Sequence, residues 1–186
     1  MDNMKQKVLE ENEKVHDGCA ILHTSAVPYQ SRPRTRNYIL GLIMEQIQAH
    51  GINPEGKKFL EVACGTGTFV ALAKKLGAKS YDGFDISGEM VRIARENNED
   101  ETTKFYKASL EDYAGEHEGT YDVIISSSFL HHLFDLEEGL LQIKSMLAPG
   151  GIYIAVHEVD NTRVWTRLEI FDEELSFLAG YQGRFG

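Results

Sequence analysis

Gly65 and Gly67 lie two positions apart, directly after the apolar stretch Phe59-Leu-Glu-Val-Ala63 and before a run carrying Val70, Ala73 and Leu76. Glycine at such a junction lets the backbone turn tightly and lets main-chain N–H groups approach a ligand without a Cβ in the way. Twenty residues beyond Gly65, Asp85 closes a second apolar stretch, where a carboxylate can accept hydrogen bonds from ribose hydroxyls. Asp85 could instead cap the helix that follows, but Ser87 fits that role better. Together the two features point to a ligand that carries a nucleoside. A dinucleotide site asks for a third glycine beneath a pyrophosphate, and Val70 stands there, after Thr68 and Phe69. A ligand without phosphates has no need of it.

The elements that must position these residues can be read along the chain. After a polar leader, residues 1–13, and an irregular segment from Gly18 to Pro33, the spacing of Ile39, Leu42, Ile43 and Ile47 predicts an amphipathic helix ended by Gly51. Strands are expected at 58–63, 80–84, 104–106, 121–126 and 152–156. Between them Ser87 caps a helix with Glu89 in its first turn. Asp135, with Glu138 three residues on, opens another, whose stripe is Leu136, Leu140, Ile143 and Leu147. This strand–helix rhythm predicts an α/β fold, a Rossmann-like doubly wound parallel sheet of at least five strands. Such a sheet binds its ligand beyond the carboxyl ends of the strands, near the reversal of strand order.

The stretch Glu61-Val-Ala-Cys-Gly-Thr-Gly-Thr-Phe69 resembles the first motif of the class I S-adenosylmethionine-dependent methyltransferases. Phe84-Asp-Ile-Ser87 with Met90, Tyr121-Asp-Val-Ile-Ile-Ser-Ser-Ser-Phe-Leu-His-His-Leu133, and Leu147-Ala-Pro-Gly-Gly-Ile-Tyr-Ile154 resemble the family's later motifs, in its order. The resemblance covers residues 57–158 and makes them a Rossmann-like cofactor-binding core. Residues 1–56 are then an N-terminal helical cap and linker, and 159–186 a C-terminal helix, short of the family's usual length.

The resemblance implies roles. Backbone around Glu61, Ala63, Cys64, Gly65, Thr66 and Gly67 would hold the methionine part of S-adenosyl-L-methionine. Asp85 would take the ribose hydroxyls, with Ile86 and Met90 near the adenine and Ser109, Leu110 and Glu111 at its edge. Many relatives carry Asp at the Ser109 position, and this chain does not. Ser126 would face the amino end of the cofactor and the transferred methyl. Tyr29 would close over the cofactor as N-terminal caps do in this family. Methyl transfer from a sulfonium is an in-line displacement, so the protein must align acceptor, methyl carbon and sulfur, leaving S-adenosyl-L-homocysteine. A base helps where the acceptor keeps its proton, and His131 and His157 are the candidates, with His132 and Glu158 beside them.

Composition narrows the acceptor. The net charge is −10, and residues 121–186 hold four Lys+Arg against ten Asp+Glu. Only Arg32, Arg34 and Arg36 cluster, either as a solvated loop or helix entry or as a contact for a small anionic group. A nucleic-acid partner is therefore not expected. Base-amine methyltransferases of nucleic acids carry Asn/Asp-Pro-Pro-Tyr/Phe after the fourth strand, where this chain has Ser126-Ser-Ser-Phe129. A small-molecule acceptor is expected. No apolar run approaches a membrane span, no secretory leader is visible, and Cys19 and Cys64 form neither a disulfide framework nor a metal site, so a cytoplasmic location is expected.

The C-terminal end departs from the family. Trp165, Leu168, Phe171, Leu175 and Leu178 have helical spacing, and no alternating hairpin follows the fifth strand. That strand would be a bare edge, to be covered by the last helix, by a homodimer or partner chain, or by a continuation of the chain. A second reading follows, a cofactor-binding but catalytically incomplete subunit that works through a partner at that edge. A nicotinamide-dependent oxidoreductase is a weaker third reading, disfavoured by Val70.

Overall fold

The computed structural model describes residues 2–25, 33–156, 159–160, 163–164 and 169–171. Strands β1 (Lys58–Val62), β2 (Ser80–Asp85), β3 (Thr103–Lys107), β4 (Tyr121–Ser127) and β5 (Leu147–Val156) alternate with helices. These are α3 (Val70–Lys75), α4 (Gly88–Asn98), α5 (Leu110–Glu116) and α6 (Leu136–Ser145), preceded by α1 (Asp2–Ser25) and α2 (Pro33–Ala49). Two-residue strands β6 (Val159–Asp160) and β7 (Arg163–Val164) pair with each other, and β8 (Glu169–Phe171) joins the main sheet. The main sheet runs β3-β2-β1-β4-β5-β8, parallel except for β8. The chain builds outward from β1 through β2 to β3, then crosses back to place β4 on the other side of β1. The reversal of strand order thus falls between β1 and β4.

The apolar runs of β1 and β4 are continuous because both faces of those strands are covered. Phe59, Val123, Ile125 and Ile154 face a cluster with Ile43 and Ile47 of α2, Val70 and Ala73 of α3, and Val91 of α4. Leu60, Val62, Ile124 and Tyr153 face Tyr113 of α5 and Ile143 of α6. Ile124 is fully buried, so its truncation to Ala would cost about 2–5 kcal/mol. The caps behave as their residue types require. Ser87 Oγ accepts the Met90 N–H at 3.1 Å, and Asp135 Oδ1 accepts the Glu138 N–H at 3.0 Å.

Three expectations are corrected. The segment from Gly18 is not irregular up to Pro33, since α1 continues through Ser25. Ala20 is fully buried against Met90 and Ile93 of α4, and that packing outweighs the glycine. Leu110–Glu116 forms a helix in a stretch where no element was expected, because Ser109 Oγ accepts the Asp112 N–H at 3.2 Å as its cap. Finally, residues 169–171 are strand and not helix. β8 pairs antiparallel with β5 at Tyr153↔Phe171, Ile154↔Ile170 and Ala155↔Glu169, so that stretch of β5 is not a bare edge. Backbone pairing with an open edge has overridden the helical spacing of the side chains. Trp165, Leu168, Leu175 and Leu178 lie outside the described residues.

Candidate functional site

A cavity of about 380 Å³ opens beyond the carboxyl ends of β1, β2 and β4, at the reversal of strand order. Its floor is the turn after β1. Ala63 and Gly65 both hold left-handed backbone, at φ 52° and 50°. For alanine this conformation is strained, and it bends the chain so that Ala63, Cys64, Gly65 and Thr66 line the cavity. A Cβ built on Gly65 meets nothing within 4 Å, so glycine there keeps space for a ligand rather than for a neighbouring side chain. Gly67, at φ 82°, differs. Its Cβ would approach Asn98 Nδ2 at 3.0 Å and Phe105 at 3.1 Å, and it does not line the cavity.

Asp85 ends β2 beside this turn. Its Oδ2 accepts the Gly65 N–H at 2.9 Å and its Oδ1 the Ser87 N–H at 2.9 Å. Burial pushes its carboxyl above the usual carboxylate range, opposed by those two backbone donors. A carboxylate oxygen has two acceptor sites, so each oxygen keeps one for a ligand hydroxyl. Glu61, 3% exposed, lies deeper. Its Oε2 accepts from the Tyr81 hydroxyl and from the Phe69 N–H at 3.4 Å. Burial holds its carboxyl well above the usual range, with the neighbouring Asp85 adding to the shift. Burial likewise raises the Cys64 thiol, which leaves it protonated and unreactive.

Ile86, Met90, Ser109, Leu110 and Glu111 form the wall on the β2–β3 side, and His131 and His132 the wall after β4. Ser126 does not line the cavity, which corrects its expected place. It is fully buried on the face it shares with Ile124, with its hydroxyl 2.7 Å from that of Tyr153. Strand alternation turns Ser127 to the cavity in its stead, followed by Ser128 at φ 53°. Tyr29 and His157, like Glu158, lie outside the described residues.

The roof is α1, which the sequence reading took for a polar leader. Lys5, Val8, Leu9, Asn12 and His16 line the cavity, and their spacing places them along one helix face. Three sets of polar contacts fasten α1 down. Lys5 Nζ pairs with Glu111 at 2.7 Å and Glu138 at 2.8 Å, bridging α5 and α6. Glu13 pairs with Lys107 at 2.6 Å. Asp17 accepts from the Ser87 hydroxyl at 2.5 Å and from the Glu89 N–H at 3.2 Å, and the serine hydroxyl holds its carboxyl below the usual range. The helical spacing of Lys5, Leu9, Asn12 and His16 was the signal available in the sequence.

His132 sits between roof and wall. Its ring lies 5.0 Å from that of His16, edge-on, and 4.1 Å from that of His131. Burial pushes its pKa down to about 4, with the neighbouring histidines adding to the shift, so at neutral pH the ring is uncharged. Among the described residues no helix is long and apolar enough to cross a membrane.

Comparison with known proteins adds four findings. The model of a methyltransferase domain family matches residues 60–153. A ubiquinone biosynthesis O-methyltransferase of Vibrio parahaemolyticus is 32% identical over 125 residues, covering 66% of this chain and 49% of that protein. A ribosomal protein L11 methyltransferase of Ruminiclostridium cellulolyticum is 37% identical over 100 residues, covering 50% of this chain and 31% of that one. The crystal structure of an S-adenosylmethionine-dependent methyltransferase from Mesorhizobium loti superposes with a TM-score of 0.52 at 26% identity, over 60% of this chain and 51% of that one. The chain spans about half the length, or less, of the curated relatives it matches.

Proposed function

Because the chain belongs to the methyltransferase domain family matched over residues 60–153, we propose that it is an S-adenosylmethionine-dependent methyltransferase acting on a small molecule. The observation that carries this reading is the pairing of Asp85 with the open left-handed turn at Gly65, at the reversal of strand order. The residues fit the cofactor. Asp85 keeps one acceptor site on each oxygen for a ribose diol, the Gly65 turn leaves room at the main chain, and Ile86 and Met90 give apolar surface for an adenine. Ser109, its hydroxyl donating to Asp112 at 2.6 Å, lines the same wall and would meet the adenine edge. Glu61, which lines the same cavity, would meet the amino end. Val70, in place of a third glycine, favours a ligand without phosphates.

Bound S-adenosylmethionine supplies an electrophilic methyl group on a sulfonium. The chain's own residues have three tasks, which are holding the cofactor, aligning an acceptor in line with the carbon–sulfur bond, and excluding water. The roof supports the small-molecule reading, because α1 covers the cavity with Val8, Leu9 and Asn12. The charge balance supports it too, as does Ser126-Ser-Ser-Phe129 in place of a base-binding motif. The incomplete-subunit reading loses part of its footing, since β8 already covers β5 at 153–155. The test is methyl-labelled S-adenosylmethionine incubated with the full chain and a cell extract. Label in the small-molecule fraction is expected, and label confined to protein or RNA would overturn the acceptor assignment.

A further inference from the structure

The contact between Asn12 and His132 decides which nitrogen of that ring is free. Asn12 Nδ2 donates to the backbone carbonyl of His132 at 3.4 Å, while Asn12 Oδ1 lies 3.3 Å from His132 Nδ1. Both distances are at the long end for such bonds. The first contact orients the amide, since only its NH₂ can donate to a carbonyl. The second then has one solution. An amide oxygen only accepts, so Nδ1 must carry the ring proton, and Nε2 of the neutral ring is left with a lone pair.

From this geometry we infer that Asn12 fixes His132 in the Nδ1–H tautomer, so that His132 Nε2 accepts a hydrogen bond from the O–H or N–H of an uncharged methyl acceptor. His132 is the group that touches the acceptor, and Asn12 is a positioning residue. The inference rests on the methyltransferase reading of the same cavity and adds the class of acceptor. Several features agree. Phe129 and Leu133 add apolar wall beside His132. Among the residues that line the cavity, Lys5 is paired with Glu111 and Glu138 and Asp135 adds a further carboxylate, which disfavours an anionic acceptor. Burial first, and then the neighbouring His131 and His16, whose rings face His132, hold its ring neutral.

The chemical step balances. The acceptor's heteroatom forms a bond to the methyl carbon as the carbon–sulfur bond breaks with its electron pair on sulfur. For a hydroxyl acceptor the proton on the methylated oxygen passes to Nε2 and then to water, whereas a methylated amine keeps its proton as an ammonium ion and uses Nε2 only to orient its N–H. A hydroxyl oxygen that has just gained a carbon is a much stronger acid than imidazolium, so a weakly basic ring is sufficient to take that proton.

The experiment is a long-range ¹H–¹⁵N correlation on ¹⁵N-histidine-labelled full chain at pH 7, with His132 assigned through H132Q. The expected spectrum has a protonated Nδ1 and a bare Nε2 in the wild type, and Asn12→Ala loses that preference. Phenol added to the chain loaded with S-adenosylhomocysteine should move the Nε2 resonance, and toluene, which has no O–H, should not. A wild-type ring protonated on Nε2, a tautomer unchanged in N12A, or an Nε2 signal that phenol and toluene affect alike would overturn the inference. Failure of S-adenosylhomocysteine to bind in a separate calorimetric titration would instead sink the methyltransferase reading, while the tautomer result stands by itself.

Discussion

Asp85 and Gly65 are joined by a 2.9 Å hydrogen bond from the glycine amide to the carboxylate, across twenty residues of chain. The bond ties the end of β2 to the turn after β1, so the ribose and methionine ends of the proposed cofactor site are built as one unit. Its consequences are open to direct measurement.

Replacing Asp85 with Ala removes the proposed ribose acceptor and strands the amides of Gly65 and Ser87. S-adenosylmethionine affinity should fall more than tenfold, and stability by about 1–3 kcal/mol. Calorimetric titration and denaturant melts separate the two effects. Unchanged affinity would reduce Asp85 to a structural tie.

The two turn glycines should respond differently to alanine. At Gly65 the methyl group enters open space at φ 50°, so G65A should fold, with a strain of about 1–2 kcal/mol, and lose cofactor affinity at least tenfold. At Gly67 the methyl group meets Asn98 and Phe105, so G67A should mainly lower the melting temperature. Equal effects of both variants on binding and stability would contradict this assignment.

Glu61 should reverse the usual acid behaviour of a carboxylate. Its carboxyl in the fold lies well above the ordinary 4.5 because burial disfavours the charge. Between 4.5 and its raised value the folded chain holds a proton that the unfolded chain has released, so this group's contribution to stability falls as pH rises through that window. Glu61→Gln should therefore raise the melting temperature at pH 7.5, by an amount that shrinks as pH is lowered toward 5. A variant that melts lower at pH 7.5 would mean that the charge is compensated.

Lys5 ties the roof to α5 and α6 through side chains that are well exposed on the acidic side, 62% for Glu111 and 48% for Glu138. Such pairs contribute about 1 kcal/mol or less. Lys5→Gln should speed S-adenosylhomocysteine dissociation about two- to fivefold at low salt, and the difference should vanish near about 1 M salt, where screening is nearly complete. Stopped-flow displacement reads this rate. No difference at low salt would show that α1 is not held through Lys5.

Much of the sheet was legible because its strands are buried on both faces and its helices begin at Ser87 and Asp135, whose side chains cap them as local chemistry requires. The Gly65 turn and the position of Asp85 beside it were legible because backbone shape and chain spacing set them. Ser126 was misplaced because a continuous apolar run hides which of two adjacent residues faces the ligand. Only the pairing Ser126↔Ala155 and the contact with Tyr153 decide it. The role of α1 was missed because the face it gives to the cavity is largely polar. Lys5, Asn12 and His16 resemble a solvated surface until Glu111, Glu138 and His132 are seen opposite them. β8 was hidden because strand pairing at an edge depends on the partner and not on the segment's own periodicity.

A crystal structure of the full chain with S-adenosylhomocysteine is the most direct measurement of the central claim. The account predicts the adenosine lying across the carboxyl ends of β1 and β2, both ribose hydroxyls on the Asp85 carboxylate, and the sulfur turned toward the side of the cavity walled by His132. A ligand bound elsewhere, or a ribose that makes no contact with Asp85, would contradict it.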